Sequence, residues 1–388
     1  MTWFFWCMIY LLFHTYLIYP LILIYFNKAS PTSTYDEHTL KETLPFLSII
    51  FSAHNEEAVL VKKLTSLTNT SYPIDRIEIL VGSDASTDAT NDILNEWSTK
   101  YPYIHFHSFK DRMGKTCVIN ELVKHTKGEY LVFTDANILF RKSTLFDLTK
   151  KMKDTSVALV AGNIINYNLK KDGISLQERE YTNQENKIKH IEGKLWGATM
   201  GAFGGLFAVK KKYYTPLPPT AIVDDFFITL SVIKQEQKAI LSLDALAYED
   251  VGNEGYEEFK RKKRIAIGNF QNLNWFKTLL WSKRKGIAFA FFSHKVLRWF
   301  GPIFLLFIFV FNLYLLKVHL LYHVTFWGQV LFYCVPAIEY LFRKLNIHFF
   351  GFRFVTHFVS MNVALFMGLC SYLFLKKNNT WRPTKRFQ

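Results

Sequence analysis

The first 27 residues of this 388-residue chain contain no Lys, Arg, Asp or Glu. Within them, Trp3 to Phe26 would form a helix about 36 Å long, which is enough to cross a bilayer. A cleavable signal peptide would have a basic start, a shorter apolar core and a small-residue cleavage site, whereas this run has no basic start and is too long. We therefore predict a retained transmembrane helix over residues 1–27. Lys28 is its first flanking base, which predicts that the chain continues on the cytoplasmic side.

Three further apolar stretches follow near the other end: Gly301–Leu316, Leu320–Phe342 and Phe354–Leu375. They predict three transmembrane helices within residues 301–376, followed by a basic tail at 377–388. Arg343 and Lys344 predict a cytoplasmic loop between the last two spans. Four spans would put the basic tail on the outer side of the membrane, whereas basic residues favour the cytoplasmic side. Either the last segment is re-entrant or this preference fails there.

Residues 287–300, just before those spans, predict an amphipathic helix in the membrane interface. At helical spacing, Phe289, Phe292, Val296 and Trp299 share one face, and the other face carries basic side chains: His294, Lys295 and Arg298. The alternative is the buried start of the next span.

The charge balance excludes a bundle that lies wholly in the membrane, because 47 basic and 32 acidic side chains could not be accommodated there. The net charge of +15 would suit either nucleic acid or an anionic membrane surface. Because the bases gather beside apolar segments, we expect membrane lipids as partners and no nucleic acid. The four cysteines form no CxxC pair, which is typical of reduced packing residues in the cytoplasm.

The middle of the chain, residues 45–286 after a linker at 28–44, alternates between strand and helix patterns. The predicted strands are Phe46–Ala53, Arg76–Val81, Tyr103–His107 and Tyr130–Thr134. Helical patterns separate them, which predicts an α/β fold with a doubly wound, mostly parallel sheet and a ligand at the carboxyl ends of its strands. No Gly-x-Gly-x-x-Gly or Walker pattern follows a strand, so the sequence supports neither a dinucleotide fold nor a P-loop.

Several motifs in this region occur together in a fixed order. They are Ser-Ile-Ile-Phe-Ser-Ala-His-Asn-Glu-Glu (48–57), Val-Gly-Ser-Asp-Ala-Ser-Thr-Asp (81–88), Gly-Lys-Thr-Cys-Val-Ile-Asn (114–120), Gly-Glu-Tyr-Leu-Val-Phe-Thr-Asp-Ala-Asn (128–137), Val-Asp-Asp-Phe (223–226) and Arg-Lys-Lys-Arg (261–264). In order and rough spacing they resemble glycosyltransferase family 2. The resemblance implies a GT-A (nucleotide-diphospho-sugar transferase) fold, and one span before the domain with three after it is similar to the membrane-bound, polysaccharide-synthase-like members.

The resemblance also implies which residues bind the donor. Asp84 matches the aspartate that reads the nucleotide base, and Ser52, His54 and Glu56 match the loop that contacts the nucleoside. Lys115 matches a Gly-Lys segment and would face the diphosphate from a helix start. From the residues alone, Asp84 could instead cap a helix or form an Asx-turn, and Lys115 could be a solvated surface residue.

Asp135 and Asn137 occupy the position of the family's Asp-x-Asp motif, which implies a bound Mg²⁺ or Mn²⁺. Such ions prefer oxygen ligands and are often held by one or two carboxylates together with phosphate oxygens. The second Asp is replaced by Asn here, so we expect weaker metal affinity with Asp135 as the main anchor. A polar turn after a buried strand is the structural alternative.

Asp224 and Asp225 stand where the family has its acidic pair, and we expect Asp225 to be the general base. Adjacent side chains on a helix point in different directions, so Asp224 would cap the helix or orient a basic residue. Arg261 to Ile265 aligns with the family's Gln-x-x-Arg-Trp. Arg264 matches the Arg of that motif, and the resemblance implies that its guanidinium clamps the diphosphate. Arg261 replaces the Gln and Ile265 the Trp, which puts processive polymerisation in question.

Together these features predict a hexosyl- or related sugar transferase in the plasma (inner) membrane with its catalytic domain in the cytoplasm. It would move a sugar from a nucleotide-diphospho-sugar to a hydroxyl of a lipid-linked or membrane-adjacent glycan, with the inversion that the family implies. Two alternatives stay open: a polyprenyl-phosphate sugar synthase, and a non-catalytic membrane protein that keeps the fold for binding or polymer export.

Overall fold

The structure is a computed structural model that describes residues 1–29, 44–168, 174–250, 255–345, 347 and 349–374. The chain forms two compact units. The first, called here the helical unit, comprises Met1–Leu23, Lys170–Glu180 and Gly252–Lys376. The second, the sheet unit, comprises the described residues of Ile24–Leu169 and Tyr181–Val251. Most of the predicted linker at 28–44 and all of the predicted basic tail at 377–388 lie outside the described residues.

The chain begins with two apolar helices, α1 (Thr2–Phe13) and α2 (Tyr19–Ala29), joined by a π-helical turn at His14–Ile18. As one element, Thr2–Lys28 has a mean hydropathy of 1.9 and is long enough to cross a membrane. This agrees with the helix that the uncharged N-terminal run predicts.

Within the described residues, eight strands form one sheet in the order β3-β2-β1-β4-β7-β6-β8-β5. The strands are β1 (Leu47–Ala53), β2 (Ile77–Asp84), β3 (Ile104–Phe109), β4 (Tyr130–Thr134), β5 (Ile138–Phe140), β6 (Val157–Tyr167), β7 (Leu206–Lys210) and β8 (Lys238–Asp250). The helices between them are α3 (Glu57–Thr68), α4 (Thr90–Lys100), α5 (Lys115–Lys124), α6 (Thr144–Met152), α7 (Ser175–Trp196) and α8 (Asp224–Lys234).

The apolar run of β1 explains its place among parallel neighbours. Six of its seven residues are buried, because helices cover the sheet and both faces of the strand need apolar side chains. β1 pairs in parallel with β2 and β4, so the residues that follow these strands meet at the same sheet edge. On α3, Leu60, Leu64 and Leu67 are fully buried at helical spacing, as the sequence predicts.

The second half of the sheet is mixed, which the alternating pattern did not predict. β7 runs antiparallel to both β4 and β6, and β5 runs antiparallel to β8. β6 and β8 form a parallel pair. The predicted α/β class is therefore confirmed, with the parallel order confined to β1–β4 and the β6–β8 pair.

The helical unit continues with α9 (Gly255–Phe276), α10 (Lys285–Ala290), α11 (Leu297–Trp299), α12 (Gly301–Leu315), α13 (Leu320–Lys344) and α14 (Phe350–Phe374). α13 and α14 are each long and apolar enough to cross a membrane. A 60° bend separates α12 from the preceding helical segment, Lys285–Trp299. The two together give one further span only if the bent pair is counted as a single membrane-crossing element. The described part of the chain thus carries two or three candidate C-terminal spans, where the sequence predicts three.

The predicted amphipathic helix at 287–300 is interrupted by a π-helical turn at Phe291–Val296. The side chains of His294 and Lys295 are buried, with exposures of 0% and 8%, whereas Phe292 is 43% exposed. Ser293 Oγ lies 2.9 Å from His14 Nε2. The predicted outward basic face is therefore wrong for His294 and Lys295, because the π-helical turn changes the phase of the 3.6-residue repeat. The interfacial location of this segment stays a prediction.

Candidate active site

Asp84 is the last residue of β2, and its carboxylate binds the segment that leads into α5. Oδ1 accepts a hydrogen bond from the Met113 backbone N–H at 2.7 Å, and Oδ2 accepts one from Gly114 N–H at 3.0 Å. The Asp84 side chain is only 3% exposed, and Arg112 Nε lies 3.7 Å from Oδ2. The carboxylate thus joins the end of β2 to the start of α5, and its implied role in reading the base stays a prediction.

The loop that follows β1 is tied to the loop that follows β2. His54 Nδ1 lies 2.7 Å from the Asp84 carbonyl oxygen, and the Glu56 N–H donates to Thr90 Oγ1 at 2.9 Å. Asn55 has a φ of 54° and accepts the Thr87 N–H on its side-chain oxygen at 2.8 Å.

Ser52 pairs in register with Gly82 on β2. The residues that match the nucleoside loop, Ser52, His54 and Glu56, therefore lie at the sheet edge where Asp84 lies.

Lys115 bridges two of the predicted acidic residues. Its Nζ lies 2.9 Å from Asp135 Oδ1 and 2.9 Å from Asp224 Oδ2. Lys115 is the first residue of α5 and Asp224 the first of α8, while Asp135 directly follows β4. Gly114 precedes Lys115 with a φ of 84°, a backbone conformation that glycine adopts without strain. Burial disfavours the ammonium, but the two carboxylates outweigh it and raise the pKa of Lys115.

Asp225 lies beside this cluster, across Gly204. A methyl group on Gly204 would lie 3.3 Å from Asp225 Oδ2 and 3.8 Å from Asp135 Oδ2. Asp225 Oδ1 accepts its neighbouring Phe226 N–H at 2.7 Å. Burial and the adjacent Asp224 raise the pKa of Asp225 to about 7, and Lys115 offsets part of this. A carboxyl with such a pKa can accept a proton near neutral pH.

The residues at the Asp-x-Asp position suit a divalent cation. The Asp135 side chain is 38% exposed, so its carboxylate is accessible. Asn137 is 9% exposed, and its Nδ2 lies 3.5 Å from Glu249 Oε1. Among the described residues, no group of three or more His, Cys, Asp or Glu side chains could hold a metal ion. Asp135 and Asn137 would supply one carboxylate and one amide oxygen, which fits a site completed by phosphate oxygens.

Arg261 and Arg264 belong to α9, in the helical unit. Arg261 Nη1 lies 3.2 Å from Glu258 Oε2, and Lys262 Nζ lies 2.9 Å from Glu178 Oε2. Burial opposes ionisation of Glu258, but Arg261 and Lys262 outweigh it and lower its pKa to about 2. Arg261, itself one-third exposed, is thus paired with the buried Glu258, and the catalytic roles implied for Arg261 and Arg264 stay predictions.

Sequence reasoning missed a cation in the sheet unit. Lys189 on α7 places its Nζ 3.5 Å from the centre of the Phe203 ring, and it lowers the pKa of Asp225 against burial. Glu185, Lys189 and Glu192 follow one another at spacings of four and three residues, a pattern that predicts a solvated helix face. The three residues are nevertheless at most 4% exposed. Gly204 lies in the glycine-rich stretch 196–205, which from its sequence resembles the family's acceptor-side segment, although tight packing explains such a stretch equally well.

Comparisons with known proteins identify the domain. A family model described as glycosyl transferase family 2 matches residues 48–215. These residues form a glycosyl transferase family 2 domain. The family 2 domain contains Lys115, Asp135 and Gly204, and Asp224 and Asp225 follow it by fewer than a dozen residues. The predicted family and enzyme class are thereby confirmed.

Individual relatives agree with this identification. The chain is 28% identical over 288 residues to the probable glycosyltransferase YdaM of Bacillus subtilis (strain 168), covering 70% of this chain and 67% of that protein. It is 35% identical over 100 residues to a beta-monoglucosyldiacylglycerol synthase of Nostoc sp., covering 25% of this chain and 21% of that protein. The match to the synthase therefore spans only about a fifth of its length.

A solved structure supports the fold that accompanies the family 2 domain. The mannosyltransferase PcManGT from Pyrobaculum calidifontis, solved in complex with GDP-Man and Mn²⁺, superposes with a TM-score of 0.72 at 20% identity. The match covers 96% of this chain and 99% of that one. It confirms the predicted GT-A fold class.

Proposed function

We propose that this chain transfers a sugar from a nucleotide-diphospho-sugar to a hydroxyl group of a lipid-linked or membrane-adjacent glycan. One observation carries the proposal: Lys115 of the family 2 domain bridges Asp135 and Asp224, while Asp225, with a pKa near 7, lies across Gly204 from Asp135. A cation, an accessible carboxylate and a potential base thus converge at one sheet edge.

The donor side of the reaction needs charge compensation, because a nucleoside diphosphate departs as an anion. Lys115 is the first residue of α5, and the N-terminus of a helix favours a bound anion, so its ammonium can contact the diphosphate. Asp135 and Asn137 would hold Mg²⁺ or Mn²⁺. When bound, the ion would neutralise charge on the departing group.

The acceptor side needs a base, and the contacts distinguish the two adjacent aspartates. Asp224 is paired with Lys115, so its carboxylate orients that ammonium. Asp225 can take the proton of the acceptor hydroxyl as the hydroxyl oxygen bonds to the anomeric carbon and the bond to the diphosphate breaks. A single displacement of this kind inverts the anomeric configuration.

The acceptor class rests on the apolar helices and on the relatives. Thr2–Lys28, α13 and α14 can each cross a membrane. One relative carries the name of a glycolipid synthase. Lys28, Arg343 and Lys344 flank candidate spans, which supports a cytoplasmic orientation of the sheet unit in the plasma (inner) membrane.

The test is an assay of the purified full chain in detergent with a panel of nucleotide sugars, with and without Mn²⁺. We expect nucleotide release with at least one donor and a loss of about 10²–10⁴-fold in kcat for Asp225→Asn. Asp92→Asn on an exposed part of α4 is the matched control and should keep full activity.

Other outcomes would identify the alternatives. No release with any donor would support a non-catalytic binding or export protein. An active Asp225→Asn variant with a polyprenyl phosphate as acceptor would support a polyprenyl-phosphate sugar synthase, because a phosphate acceptor needs no base.

A further inference from the structure

Lys63 is a fully buried lysine on the face of α3 that packs against the sheet. Its side chain is 0% exposed and lies on the same helix face as Leu60, Leu64 and Leu67. A lysine at an apolar helix position costs free energy unless every donor finds a partner. Its surroundings therefore reveal what it does.

The Lys63 ammonium contacts both ends of the turn that carries the predicted metal ligands. Nζ donates to Thr134 Oγ1 at 2.8 Å and to the Ile138 carbonyl oxygen at 2.6 Å. Thr134 ends β4 and Ile138 begins β5, so these two residues directly flank Asp135, Ala136 and Asn137. The third direction faces the Phe140 ring, whose centre lies 4.2 Å from Nζ.

Thr134 extends this network to the glycine segment. Its Oγ1 donates to the Gly205 carbonyl oxygen at 2.8 Å. Gly205 follows Gly204, which lies against both Asp225 and Asp135. One buried amino group thus connects α3, the turn at 135–137 and the segment next to the proposed base.

We propose that Lys63 is a positioning residue that fixes the Asp135–Asn137 turn in the geometry required to bind the metal–nucleotide complex. This inference rests on the proposed function. The groups of a binding site must be held to within about 0.5 Å by the residues that support them. The Lys63 amino group restricts the three-residue turn at 135–137 in this way, because it donates hydrogen bonds to the residues at both ends of the turn. Lys63 acts through Asp135 and Asn137 and does not itself contact the substrate.

The role does not require the positive charge of Lys63. Burial lowers its pKa well below the usual value, and the nearby Asp135 carboxylate acts in the opposite direction. A neutral amine still has two N–H donors, which are enough for Thr134 and Ile138.

The test compares Lys63→Met with Lys210→Met in the full chain. Lys210 is a matched control because it is also buried in the sheet unit, with Nζ donating to the carbonyl oxygens of Asp154 and Thr155 at 3.1 and 3.3 Å. Mn²⁺ binding is measured by electron paramagnetic resonance in the presence of GDP and, separately, UDP, and the unfolding midpoint is measured in parallel. We expect Lys63→Met to weaken Mn²⁺ binding by about 10–100-fold, and Lys210→Met to leave it within about twofold.

Thr134→Val provides a second variant in case Lys63→Met does not fold. It removes the hydroxyl that links Lys63 to Gly205 while keeping a similar volume, and we expect weaker Mn²⁺ binding again. Wild-type affinity in either folded variant, or an equal loss in Lys210→Met, would overturn the role of Lys63 alone. A wild-type chain that binds no Mn²⁺ with either nucleotide would overturn the proposed metal site together with this role.

Discussion

The Lys115 ammonium lies 2.9 Å from Asp135 Oδ1, which joins the residue assigned to the diphosphate to the residue assigned to the metal. The same ammonium reaches Asp224 at the start of α8. Three chain segments that are far apart in sequence therefore meet through one cation. Because Lys115 also lowers the pKa of Asp225, it influences both the donor side and the acceptor side of the proposed reaction.

The pH dependence of kcat/KM should report Asp225. Burial and Asp224 raise the pKa of this carboxyl to about 7, and only the ionised form can accept a proton. We expect kcat/KM to rise with pH, reach half its maximum near pH 7 and level off above it, because this parameter reports groups of the free enzyme. A profile that is flat between pH 5 and 9 would contradict the assignment of Asp225 as the base.

Replacing Lys115 should change both the rate and the profile. Lys115→Met removes the charge that opposes the raised pKa of Asp225, so the rise in kcat/KM should move to higher pH. It also removes a donor to the departing diphosphate, for which we expect a loss of about 10²–10³-fold in kcat. Lys124→Met on exposed α5 surface is the control. If Lys115→Met is slower but keeps the wild-type pH profile, then Lys115 does not influence the pKa of Asp225.

Gly204→Ala should impair activity more than stability. The added methyl group would lie 3.3 Å from Asp225 Oδ2, so this carboxylate or the glycine segment must shift by a few tenths of an ångström. A misplacement of about 1 Å can cost about 10²-fold in rate, so a shift of a few tenths of an ångström should cost a smaller factor. We expect kcat to fall at least about tenfold with a small change in unfolding midpoint. Gly328→Ala has no atom within 4 Å of the added group and should behave as wild type.

How far the sequence predicts this site can be seen from Asp135 and Lys189. The apolar run of β1 predicts a strand covered on both faces, and its parallel neighbours then bring Asp84 and Asp135 to one edge. The sequence predicts that Asp224 caps its helix or orients a basic residue, but it could not identify that residue as Lys115, because the contact depends on the antiparallel strands and α8. Lys63 and Lys189 were missed for a common reason: charge predicts exposure, and only tertiary partners make burial of a lysine tolerable.

The ion pairs of α9 should stabilise the helical unit at neutral pH. The pKa of Glu258 is about 2 in the folded chain, below its usual value of 4.5. Because the folded-state pKa is the lower one, ionised Glu258 stabilises the folded chain above about pH 4.5, and this stabilisation is lost as the pH falls towards 2. Removing the carboxylate takes one partner from Arg261 and Lys262, but Lys262 keeps Glu178 and Arg261 is one-third exposed, so we expect about 1–3 kcal/mol of lost stability in Glu258→Gln.

The adjacent Glu257 provides the comparison for that measurement. Its partner Lys260 is 53% exposed, so Glu257→Gln should cost about 0–1 kcal/mol. Thermal unfolding in detergent at pH 7 distinguishes the two variants, and the difference between them should shrink as the pH is lowered from 4.5 towards 2. Equal losses in both variants would show that burial of the Glu258 pair contributes nothing to stability.

The π-helical turn at Phe291–Val296 has an evolutionary consequence. Such a turn holds one residue more than the α-helical turn it replaces. Straightening this turn without removing a residue would rotate every following side chain by about 100°. Deleting a single codon there would instead restore the regular helix and leave the residues after it on the faces they now occupy. We therefore expect this turn to accept the loss of one residue more readily than the regular turns on either side of it.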